Sequence, residues 1–341
     1  MDSKAKAVSM GKARKESVYE LLILVVLVIA LSVITKPFIG KFESNIPLSL
    51  RSFPDGRVPP QEELTNIISD KEGGVENVEF DSRGLPKSYD LNVYGITVHK
   101  DEGSGYNNLI YNLLLIANAL LRLIVLFGGI KLFTGASPSQ ISRDLGLLKV
   151  EPKHIIAALV IVFPVFVQSL YTYIANDAKD WGVDIATIIF LLVGPGIFEE
   201  SFFRGFIFNR LRKGGMNWFL AALLTAVASA FVHLTNLFLG KEFPVVRNQI
   251  IFSALLTFML CYFFVKTGGN TWGLIVVHAL IDFIAIFSGV GVEALQSSAT
   301  RNTLFVYTHW GVIVIWGYLI ILAFFGRAKK QVDPNQVVIK V

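Results

Sequence analysis

An all-α polytopic membrane protein is the fold this chain dictates: about eight transmembrane helices enclosing a polar cavity, with one small extracytoplasmic segment. Composition is the first ground. Of 341 residues, 53% are hydrophobic and 17% charged, and the mean hydropathy of +0.57 lies above that of an average soluble domain. The second is the recurrence of apolar runs near the roughly 20 residues that cross a bilayer. The third is the placement of basic residues on alternate connections, as the positive-inside rule requires.

Residues 1–17 form a basic tail with Lys4, Lys6, Lys12, Arg14 and Lys15, predicted to be cytoplasmic. Residues 18–36 hold the apolar run Leu21 to Thr35. No small-x-small cleavage site follows at Thr35-Lys36-Pro37-Phe38, so this run reads as a retained anchor and not a cleaved signal peptide. Residues 37–107 are polar, with Pro54, Pro59, Pro60 and many acidic side chains, and are too hydrophilic to span. Within them, Val78 to Phe80 and Tyr89 to Tyr94 flank the turn-rich Asp81-Ser82-Arg83-Gly84-Leu85-Pro86, which predicts a small extracytoplasmic β-hairpin. Residues 108–184 carry the runs Leu109 to Phe133 and Ile155 to Ile174. Residues 185–289 carry Ile185 to Phe208, Trp218 to Leu239, Ile250 to Val265 and Trp272 to Phe287, the expected catalytic core. Residues 290–326 hold the last loop and the run Phe305 to Phe325, and residues 327–341 a cytoplasmic tail.

With this count, Arg143, Lys149, Lys153, Arg210, Arg212, Lys213, Lys266, Arg327, Lys329 and Lys330 all fall on the cytoplasmic side, while Asn176 to Asp184 is acidic or mixed. Both termini are then cytoplasmic, in the cell membrane. The net charge of +5 reports topology. No basic patch interleaved with aromatics is present, so nucleic acid is not an expected partner. Cys261 is the single cysteine, which excludes disulfide frameworks and thiolate clusters; in its apolar run it reads as core. No internal repeat supports an inverted-repeat transporter.

The chemistry concentrates in Gly194-Pro195-Gly196-Ile197-Phe198-Glu199-Glu200-Ser201-Phe202-Phe203-Arg204-Gly205. Two carboxylates and a guanidinium sit inside an apolar run, at roughly 2.5–3.5 kcal/mol each at the centre of a spanning helix. Glu200 and Arg204, at i and i+4, can pair. Glu199, about 100° round an α-helix from Glu200, has no such local partner, and a carboxylate without a fixed cation in a cavity suits a general base. The plain alternative is a helix-packing ion pair with Glu199 bonded to a neighbouring helix. Pro195 removes a backbone donor, and its flanking glycines admit another backbone or a substrate.

His233 and His278 lie in later apolar runs, with Asp282 four residues after His278, where its carboxylate can set the imidazole tautomer or share a water. His99, His154 and His309 fall in loops or near interfaces. Glu199, His233 and His278 together can polarise one water for amide hydrolysis, with Arg204 holding Glu200 or a substrate carboxylate. Two histidines and a glutamate also fit a zinc site, although no His-Glu-x-x-His is present. A non-enzymatic transporter or peptide-binding immunity protein is the third reading.

At these residues the chain resembles the CAAX-protease and bacteriocin-processing family of intramembrane endopeptidases, which includes the type II CAAX prenyl proteases. The family's Glu-Glu-x-x-x-Arg is matched by Glu199 to Arg204, and its His-x-x-x-Asn/Asp by His278 to Asp282. Its Phe-x-x-x-His is half matched: His233 is present, but Ser229 stands at the phenylalanine position, a change read as one of packing. The resemblance covers about Ile185 to Phe287. It implies a glutamate-dependent, metal-independent protease with no cofactor. Glu199 and His233 would activate water, His278 and Asp282 would form the oxyanion site, and Glu200 and Arg204 would support them. It further implies a peptide or protein substrate, with or without a lipid, and membrane lipids as surroundings. At 1.5 Å per residue, His278, Glu199 and His233 lie about 9, 16 and 22 Å from the inner ends of their runs, so convergence requires kinks or tilt.

Overall fold

The computed structural model describes residues 3–43, 46, 58–72, 74–101, 109–175, 185–239, 243–287 and 303–326. The predicted tail 327–341 and most of the last loop lie outside them. Helix α1 (Ser3–Gly40) leads into a small extramembrane unit of α2 (Gln61–Glu72) and strands β1 (Val75–Phe80), β2 (Pro86–Val93) and β3 (Ile96–Asp101). The membrane part comprises α3 (Leu109–Thr134), the short α4 (Pro138–Asp144), α5 (Pro152–Ala175), a long helix from α6 (Ile185–Leu191) to α7 (Asn209–Lys213), α8 (Trp218–Val232), α9 (Phe243–Lys266), α10 (Trp272–Phe287) and α11 (Thr303–Phe325). Among the described residues, five helices are long and apolar enough to cross a membrane, and three shorter apolar helices accompany them. The protein is a mostly helical, polytopic membrane protein. Large apolar side chains such as Ile34, Ile124, Leu132 and Ile315 face outward, as lipid contact favours.

The extramembrane unit contains more than a hairpin. β1 and β2 pair antiparallel, and a third strand, β3, pairs with β2 through the two-residue turn Tyr94-Gly95, both at positive φ. That twist matches two-residue hairpins, and the signal was legible in Tyr-Gly between two β-rich runs. At the first turn, Asp81 Oδ1 accepts backbone bonds from Arg83 and Leu85. The Leu85 bond foremost, with Arg83, holds the Asp81 carboxyl below its ordinary range. Tyr89, Leu91, Val93 and Val98 pack beneath with Ile68 and Phe42.

Two apolar clusters hold the bundle. One joins α5, α8, α9, α10 and α11 through residues such as Ile161, Ala222, Phe263, Val277 and Ile321. The other seats Phe198, Phe202 and Phe206 of the long helix against Leu24 and Val28 of α1, Leu126 and Ile130 of α3, and Leu145. The connections predicted as cytoplasmic gather at one end. Asn270 bonds the Lys149 carbonyl, Thr271 the Gly146 carbonyl and Trp272 the Leu148 carbonyl. Nearby, Lys213 pairs with Asp144 and Arg210 with Glu20.

The long helix meets the 145–148 loop so closely that one glycine is obligatory. A Cβ on Gly205 would lie 2.7 Å from the Leu145 Cα and carbonyl carbon, and nearer still to its oxygen. Backbone cannot yield there as a flexible side chain can. Gly205→Ala is therefore expected to destabilise the protein by about 3 kcal/mol, measured as lost thermal stability in detergent; an unchanged melting temperature would remove this packing argument.

Candidate active site

The helix carrying Glu199 and Glu200 departs from ordinary α geometry. Between α6 and α7 it runs through two π-helical stretches, Leu192–Glu199 and Ser201–Phe208. Pro195 lies in the first, where its missing N–H breaks the regular ladder. Wider turns of this kind occur mostly at functional sites, and they alter the angle between Glu199 and Glu200 that α-helical counting assumes. The i, i+4 spacing survives on both faces. Phe198, Phe202 and Phe206 stack with centroids 5.8 and 6.3 Å apart, while Glu200 meets Arg204 on the other face.

The Glu200–Arg204 pair is as the spacing predicts: Arg204 Nη1 lies 3.0 Å from Glu200 Oε1, and the side chains are 1% and 0% exposed. That burial decides one open alternative, because Arg204 is spent on Glu200 and out of reach of a substrate carboxylate. Its Nη2 donates to Thr257 Oγ1 at 3.1 Å. Thr257 in turn donates to Ser229 Oγ at 3.0 Å, and Ser229 meets Ser253 Oγ at 3.2 Å. Ser229, at the phenylalanine position of the second motif, is thus a buried hydrogen-bonding residue and not only a change in packing.

His278 takes a partner that helical spacing did not reveal. Its Nδ1 lies 2.6 Å from Glu200 Oε1, so Glu200, and not Asp282, sets the ring's tautomer. Its Nε2 lies 3.9 Å from Glu199 Oε2 and 3.9 Å from Asp282 Oδ2. The two carboxylates on either side of Nε2 remain accessible, at 29% for Glu199 and 37% for Asp282. A substrate can therefore touch Glu199 and Asp282, whereas Glu200 is sealed behind the imidazole. His233 begins the 3₁₀ turn His233–Leu239 at the end of α8 and interacts electrostatically with Glu199 and His278. Glu199 and His278 thus meet despite the unequal depths expected from simple helical counting, on a long helix that runs through two π-helical stretches.

Two cations outside the motif-bearing helices approach the same place. Lys36 of α1 donates to Thr235 Oγ1 at 2.6 Å and Asn236 Oδ1 at 2.7 Å, on the turn that His233 opens, and interacts electrostatically with His233. Arg122 lies 13 residues into the 26-residue α3, mid-span by length. Its guanidinium sits over the Phe198 ring at 5.6 Å, its Nε donates to Asn118 Oδ1 at 3.3 Å, and it interacts electrostatically with Glu199. Sequence reading passed over Arg122, although the rule that singled out Glu199 applies equally to a guanidinium inside an apolar run, at about 2.5–3.5 kcal/mol.

Among the described residues, no three His, Cys, Asp or Glu side chains are arranged to hold a metal ion. The His278 Nδ1 is already engaged by Glu200, which withdraws one donor from a zinc set. His99 bonds Asp90 in the sheet and His154 packs on Phe325; neither joins the site. Cys261 is buried in the apolar core.

A search of curated proteins finds no match to the chain. Residues 181–284 match a family model described as type II CAAX prenyl endopeptidase Rce1-like. The matched span takes in all six residues singled out above, from Glu199 to Asp282, and over that span the chain is similar to the type II CAAX prenyl endopeptidases.

Proposed function

We propose that this membrane protease hydrolyses a peptide bond near the C-terminus of a prenylated protein, with Glu199 as general base. The observation that carries the reading is the space at His278 Nε2, flanked by Glu199 Oε2 and Asp282 Oδ2 at 3.9 Å each. Such a gap is too long for direct bonds and of a size that one bridging oxygen closes. Glu199, helped by His233, takes the proton of that water as it attacks the carbonyl carbon, and the proton then passes to the leaving amine.

The oxyanion needs donors. Glu200 occupies the Nδ1 side of His278, so a ring that also donates from Nε2 carries both protons, with carboxylate acceptors at each nitrogen. Asp282 as a carboxylate accepts only; it orients His278 and, when protonated, joins it as a second donor. Glu200 and Arg204 position the ring. No metal enters this scheme, and the engaged Nδ1 supports that choice. The basic residues that gather at one face of the bundle support a cytoplasmic orientation for that face.

The test is turnover of a prenylated peptide by purified protein in proteoliposomes. His233→Ala and His278→Ala are each expected to lower kcat by about 10²–10³-fold, the range for losing a base partner or an oxyanion donor. Asp282→Asn, which supplies a permanent donor, is expected to retain far more activity than Asp282→Ala. Full turnover in both histidine variants, or abolition by a chelator and rescue by zinc, would overturn the mechanism.

A further inference from the structure

We propose that Arg122 of α3 binds the free C-terminal carboxylate of the substrate and thereby makes the enzyme read a chain end. The assignment rests on the protease reading above and adds the feature that selects its substrate. Arg122 is a guanidinium at the middle of a spanning helix, half-buried, and among the described residues it forms no direct ion pair. Its Nε is spent on Asn118, whose Oδ1 also accepts from Thr35 of α1 at 3.2 Å. That shared acceptor and the Phe198 face fix the plane of the guanidinium. Neither Nη has a bond of its own among the described residues, and two parallel N–H donors are the pattern that matches a carboxylate.

Position agrees with the chemistry. Phe198, whose ring the guanidinium approaches to 5.6 Å, immediately precedes Glu199, and Arg122 interacts electrostatically with Glu199, so the guanidinium shares the site with the proposed base. A prenylated C-terminal Cys-a-a-X sequence has three residues beyond its cysteine, and three extended residues span at most about 10 Å. Lys36, anchored on the turn after His233, adds a second positive charge on that side. Arg204, on the motif helix, is committed to Glu200. Arg122 lies outside residues 181–284, so the family match does not assign it a role.

The experiment compares a farnesylated peptide ending in a free carboxylate with its C-terminal amide, using full-length protein in proteoliposomes. Wild type is expected to favour the acid by about 10- to 100-fold in kcat/KM, the range for one charge-assisted contact. In Arg122→Gln that ratio should collapse to about one, and in Arg122→Lys part of it should return. A ratio near one in wild type overturns the assignment. So does an Arg122→Gln variant that slows both peptides equally and shifts the pH–rate profile, which marks Arg122 as the counterion of Glu199 alone. Anisotropy binding of the two peptides to the Glu199→Ala variant reads the same preference without turnover, and equal affinities there overturn it too. Failure of the protease reading is distinct: neither peptide is cut by wild type.

Discussion

Glu199→Ala is expected to lower kcat by about 10²–10⁴-fold while leaving the fold intact. The side chain is 29% exposed, and His278 Nε2 is 3.9 Å away, so among the described residues its removal breaks no direct hydrogen bond of a buried group. The loss therefore falls on the chemical step, with KM little changed. Glu199→Gln should behave alike, because the amide keeps the volume and loses the basicity. Steady-state kinetics on a prenylated peptide, read beside a thermal melt, checks both halves. An active Glu199→Gln enzyme would falsify the general-base assignment, and an inactive but unfolded one would transfer the effect to stability.

Arg204→Ala is expected to act in the opposite sense, on stability first, by about 3–5 kcal/mol. Its partner Glu200 is fully buried and would be left as an uncompensated charge, while Thr257 would lose its donor. A double variant, Glu200→Gln with Arg204→Met, removes both charges and should recover most of that loss. It should not recover activity, since Glu200 also holds the Nδ1 of His278. Thermal unfolding in detergent separates the three proteins. If the single variant melts with wild type, the pair is not the buried strut described above.

These two residues also show how much was readable in advance. Membrane spans follow from hydropathy along the chain, because bilayer thickness sets a length that a run of apolar residues either meets or misses. The Glu200–Arg204 contact follows from i, i+4 spacing, and that spacing persists through the π-helical stretch. The β-hairpin at Asp81 to Pro86 was signalled by turn residues, whereas the third strand was passed over because Tyr94-Gly95 is a weaker punctuation than Pro-Gly or Asn-Gly.

Spacing failed where partners are remote in sequence. Asp282, four residues from His278, can set the imidazole tautomer or share a water with it; Glu200, 78 positions away, makes the Nδ1 bond, and Asp282 lies 3.9 Å from Nε2. Ser229 reads from sequence as a packing change, yet it lies within a hydroxyl chain that runs from Arg204 through Thr257 to Ser253. Arg122 carried the signal of a charge in an apolar run, but without the fold no partner or purpose attached to it.

By itself, the order of residues determined that this chain is a helical membrane protein and which charged and imidazole side chains are sunk in its apolar runs, since hydrophobic length and helical period are properties of a single segment. Only the tertiary structure decided which carboxylate is sealed and which is accessible, which atom sets the imidazole, and that α1 and α3 bring two cations to the site. The reason is that depth, tilt and register between helices arise from packing many side chains at once, and no local pattern encodes the distance between two atoms on different helices.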